Sequence, residues 1–78
     1  MREKKLQLII SFDSTTHAMA VEEYCLKKGI PGRLIPLPKE ISAGCGLAWK
    51  CNIEDKEALI ASFDNDDIDY DGVYEVLI

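Results

Sequence analysis

The chain has no Cys-x-x-Cys pair, no second histidine, no long apolar run and no surplus of positive charge, and each absence closes a class of function. Its three cysteines, an odd number at wide spacing, argue against a disulfide scaffold and against a structural zinc site, so reduced thiols are expected. A net charge of -5 repels phosphate backbones and anionic lipid, which removes nucleic acid and membrane surfaces from the expected partners. The apolar stretch after Met1-Arg2-Glu3-Lys4-Lys5 is too short for a signal peptide or a membrane span, and a cytoplasmic location is the expectation. With no phosphate-binding glycine loop, no paired histidines and no dinucleotide fingerprint, no metal, nucleotide, flavin or other cofactor is expected. The acids crowded between Asp64 and Asp71 lack the glycine and the closing Glu of a calcium loop and read as a solvated turn.

What is present is a chain of 78 residues, 47% hydrophobic and 29% charged, which suits a single packed domain spanning residues 1–78. At this size only roughly 60–65% of the unfolded surface is buried on folding, so stability is expected to be marginal. Lys5 to Phe12 alternates with period two, placing Leu6, Leu8, Ile10 and Phe12 on one face; a strand with one covered face is expected, Ile9 falling on the other. Asp13-Ser14-Thr15-Thr16 supplies cap candidates for a helix from His17 to Gly29, whose apolar positions Ala18, Val21 and Cys25 recur at helical spacing. Lys27-Lys28-Gly29 ends that helix. Arg33 to Leu37 reads as a short strand that Pro36 confines to a sheet edge, followed by a loop from Pro38 to Gly44. Gly46 to Cys51 resumes alternation. Asn52, with Asp55 three positions on, is the expected cap of a second helix carrying Leu59, Ile60 and Phe63, and Val73 to Ile78 forms the last strand. The order βαββαβ predicts an α+β ferredoxin-like sandwich: a four-stranded antiparallel sheet with two helices on one face.

Cys45 is the residue that folding needs do not explain. Gly44 and Gly46 strip side-chain cover from the thiol, which is expected to be exposed. In the predicted topology the loop after the first strand and the loop carrying Lys39, Ser42 and Cys45 share one rim of the sheet. Ser14, Thr15, Thr16 and His17, at the positive end of the first helix, would then adjoin Cys45, and helix N–H groups with Lys39 or a protonated His17 would favour its thiolate. Such a thiolate can attack sulfane sulfur or a disulfide, or carry a persulfide whose terminal sulfur the same donors receive. The plainer reading makes Cys45 a small filler in a tight turn and His17 a solvated side chain. Cys25 and Cys51 fall on apolar stripes and are expected to be buried and inert; Trp49 and Phe63 are expected in the core, and Arg33 at the opposite rim, outside the site.

The segments Ser14-Thr15-Thr16-His17-Ala18, Gly29-Ile30-Pro31, Arg33 to Pro38, Glu40-Ile41-Ser42-Ala43-Gly44-Cys45-Gly46-Leu47-Ala48 and Gly72-Val73-Tyr74-Glu75 together resemble the selenium/sulfur carrier-like family, a group of small bacterial proteins or appended domains. The most specific part is Ile-Ser-x-Gly-Cys-Gly. The resemblance implies that Cys45 holds sulfur or selenium for delivery to an acceptor protein, downstream of a cysteine-desulfurase-like donor, as a covalent carrier and not a turnover enzyme. Cys51 departs from the pattern, standing where a larger apolar residue is expected. Two other functions compete. One is a noncatalytic ferredoxin-like module for a protein or ligand, in which Cys45 is incidental; the other is a small redox enzyme, which lacks a resolving cysteine close in sequence.

Overall fold

The computed structural model describes residues 4–41 and 45–78. Strand β1 (Leu6–Ser11) leads into helix α1 (Thr15–Lys28), then strands β2 (Arg33–Pro36) and β3 (Leu47–Asn52), a single 3₁₀ turn (Ile53–Asp55), helix α2 (Lys56–Asn65) and strand β4 (Gly72–Leu77). The strands form one sheet in the order β2-β3-β1-β4, with every neighbouring pair antiparallel. This is the ferredoxin-like βαββαβ arrangement. β1 and β3 are central, and β2, the strand with the proline, lies on an edge where a missing N–H breaks no ladder.

Helix α1 starts two residues earlier than its apolar spacing indicates. Ser14 is the N-cap: its backbone is extended and its Oγ accepts from the His17 N–H at 3.3 Å, so Thr15 and Thr16 belong to the first turn. Gly29 closes the helix in the left-handed conformation at φ 70°, with its N–H bonded to the last carbonyls. Asn52 does not cap α2 as expected. It is the last residue of β3, paired with Gln7, and its side chain makes no capping bond because the 3₁₀ turn intervenes before α2 begins at Lys56.

The main core lies between the helices and the sheet. Leu8, Ile10, Phe12, Trp49 and Cys51 point from the sheet to meet Ala18, Val21 and Cys25 of α1 and Leu59 and Phe63 of α2. The expectation of one covered face on β1 needs correcting. Ile9, on the helix-free face, is fully buried with Ala48 and Val76, and Ile41, from the β2–β3 connection, is 6% exposed in the same cluster. A connecting segment therefore supplies cover that no helix provides. Replacing Ile41 with Ala is expected to cost about 2–4 kcal/mol, a large share of the stability of so small a domain, measured as a lower urea midpoint with an unchanged slope.

Candidate functional site

Strand β1 ends at a point where three connections meet. The Cys45 N–H donates to the Phe12 carbonyl at 3.1 Å, the Asp71 N–H donates to the Ser11 carbonyl at 2.8 Å, and the Ser11 hydroxyl donates to Asp71 Oδ2 at 3.2 Å. The segment after Phe12 rises at once into the capped start of α1. Cys45 is thus tied by its main chain to the residue two positions before the Ser14 cap. Its side chain is half-buried, not exposed as its flanking glycines led one to expect, because it packs against the helix-side core, while Ile41 is seated on the other face of the sheet. Gly46 follows with φ 88°, a conformation that favours glycine, and its carbonyl accepts from the Leu37 N–H at 2.9 Å, extending the β2–β3 ladder. An added Cβ there would meet nothing within 4 Å, so the backbone angle and not crowding is the constraint.

Of the other residues singled out from sequence, Ser14 spends its hydroxyl on the His17 amide, whereas the N–H groups of Thr15 and Thr16 have no partner among the described residues. Lys39 is exposed, in a turn closed by the Ile41 N–H donating to the Pro38 carbonyl, and it makes no ion pair among the described residues. Ser42 and Gly44 lie outside the described residues. The acidic segment reaches further into this rim than a solvated turn would. Asp69 Oδ2 lies 3.8 Å from His17 Nε2, and Asp71 holds Ser11, so β1 and α1 both have carboxylates beside them that no local spacing reveals. At 40% and 80% side-chain exposure, the His17–Asp69 contact steers an imidazole more than it stabilises a fold.

A family model described as putative Se/S carrier protein-like matches residues 7–75. The chain belongs to this family. Comparisons with curated proteins and with solved structures return no match. The match runs from β1 to β4 and so takes in Cys45 and every connection at its rim.

The three thiols of this Se/S carrier-like chain occupy different surroundings. Cys25 and Cys51 are buried in the main core, and Cys45 alone is not. Burial pushes the Cys25 thiol up to about 11. It does the same to Cys51, also to about 11, with smaller contributions from Asp55 and Cys25. Because both native values are raised, their contribution to stability is complete below the unfolded thiol range near 8.5 and is lost as pH climbs through about 11. Alkylation of the folded protein at pH 8 is expected to label Cys45 and spare Cys25 and Cys51, with all three labelled in denaturant. Peptide mapping that found Cys25 or Cys51 labelled as fast as Cys45 in the native protein would contradict that burial.

Near the other end of α1, the Tyr24 hydroxyl donates to Asp66 Oδ2 at 2.6 Å and Lys28 Nζ lies 3.7 Å from the same oxygen. The hydrogen bond from Tyr24 is the main reason Asp66 is held below its ordinary range, and the same bond raises Tyr24. This pairing ties the end of α2 to α1 and belongs to the fold, not to the rim that carries Cys45.

Proposed function

We propose that this chain carries sulfur or selenium as a persulfide or selenopersulfide on Cys45 and passes it to a partner protein. The observation that carries this reading is the setting of Cys45: it is the one thiol of three outside the buried class, in a family described as Se/S carrier-like, and its N–H holds it to the Phe12 carbonyl just beyond β1.

In the loading step, the Cys45 thiolate attacks the outer sulfur of a donor persulfide. The donor S–S bond breaks, its electron pair leaves on the inner sulfur as a thiolate, and Cys45 keeps the outer sulfur with its proton. Delivery is the same exchange in reverse: an acceptor thiolate attacks the outer sulfur and Cys45 departs as thiolate. No external oxidant or reductant is required. Selenium enters by the same route as the outer atom. The N–H groups of Thr15 and Thr16, with the hydroxyls of those residues, form the donor-rich end of α1 that would receive the negative outer atom, and the positive end of the helix dipole favours that charge. A cysteine-desulfurase-like enzyme is the class of donor this chemistry calls for.

The test is loading followed by discharge. Incubation with a desulfurase and cysteine, or with a small-molecule persulfide, should add one sulfur atom to the intact mass. Peptide mapping should locate it on Cys45, and an added thiol should remove it. Absence of uptake from every persulfide donor, in protein whose Cys45 alkylates normally, would end the carrier reading and leave a noncatalytic binding module.

A further inference from the structure

We infer that the end of the sheet away from Cys45 holds a binding site for a doubly charged oxyanion of the phosphate class, free or esterified to a small molecule, gripped by Arg33 and Lys50. This site is independent of the carrier reading. Arg33 opens β2 and stands directly opposite Lys50 of β3 in the antiparallel register, on the helix-free face. Side chains so placed are in contact range, and like charges there loosen the sheet. The usual relief is a carboxylate. Here Gln7 and Asn52, a register pair on the same face, occupy the next rung, and among the described residues neither cation has a carboxylate within ion-pair distance. Acids are not scarce, since the chain has 14 against 9 lysines and arginines, and Lys27, Lys28 and Lys56 each have one.

The two cations line a common cleft of about 350 Å³ together with Gln7, Asn52 and the Pro31-Gly32 turn. Its walls offer a guanidinium fork, an ammonium and two side-chain amides, which is a donor set for an oxyanion. The turn is pressed tightly against β3: a Cβ on Gly32, where φ is 142°, would lie 2.7 Å from the Lys50 carbonyl and from the Trp49 ring. The backbones of Lys50 and of the turn that leads into β2 are therefore packed together.

Amide NMR shifts followed during titration with inorganic phosphate, at constant ionic strength in chloride buffer, test the site. Saturating shifts are expected at Gln7, Gly32, Arg33, Lys50 and Asn52, with a midpoint below about 20 mM and no matching change at Cys45. Arg33→Gln and Lys50→Gln should each weaken binding about tenfold, and the double variant should not saturate. Without phosphate, Arg33→Gln relieves the like-charge contact and should raise Tm by about 1–5 °C, which also shows that the variant folds. Glycerol phosphate in place of inorganic phosphate separates the two sources: tighter binding assigns the cleft to an esterified phosphate, and equal binding to the free ion. Shifts that rise linearly, saturate above that midpoint, or persist in the double variant would overturn the proposal.

Discussion

Replacing Cys45 with Ser is expected to reduce sulfur or selenium uptake to background while moving the urea midpoint by no more than about 0.5 kcal/mol equivalent. The two halves of this result have different causes. Uptake fails because hydroxyl oxygen does not form the required bond to sulfur, and neither remaining thiol can take over: Cys25 and Cys51 are buried, and each is pushed up to about 11, so the reactive thiolate is scarce at neutral pH. Stability survives because the half-buried Cys45 is anchored through its N–H to Phe12, a bond that Ser keeps. Intact-mass measurement after loading reads the first half, and urea unfolding reads the second. Uptake retained by the Ser variant would place the chemistry on another thiol, with Cys51 the first to test.

Gly32→Ala is expected to destabilise the fold by about 3 kcal/mol. Two costs add. Alanine at φ 142° occupies a region that L residues avoid, at about 1–3 kcal/mol. Its methyl would also lie 2.7 Å from the Lys50 carbonyl and from Trp49, where the backbone oxygen cannot rotate away and the indole is 2% exposed. Overpacking of that kind costs about 1–3 kcal/mol. For a domain of this size the sum is a large part of the total, and Tm should fall by about 10 °C or more. A thermal melt matching wild type would mean that the Pro31-Gly32 turn does not sit against Trp49.

The sequence revealed those features whose cause is local. Alternation in β1 and β3, a run of cap candidates from Asp13 to Thr16, the Gly29 stop and the proline on β2 each act within a few residues, and together they are enough to derive the element order and the ferredoxin-like sheet, though not which of the four candidates caps α1. Asn52 misled because a residue at the end of a strand has the same preference for turning the chain as a helix cap, and only the 3₁₀ turn distinguishes them. The second small core escaped because Ile9, Ile41, Ala48 and Val76 come from four separate segments, one of them a connection with no periodicity. At the candidate site, Cys45 stood out through its flanking glycines. The carboxylates of Asp69 and Asp71 did not, since they reach His17 and Ser11 only after β4 pairs with β1.

The bond between Cys45 and Phe12 is made entirely by main-chain atoms. Position 45 is therefore held in place whatever atom its side chain ends in. Exchange of sulfur for selenium in that side chain keeps the bond, whereas proline, with no hydrogen on its nitrogen, would lose it.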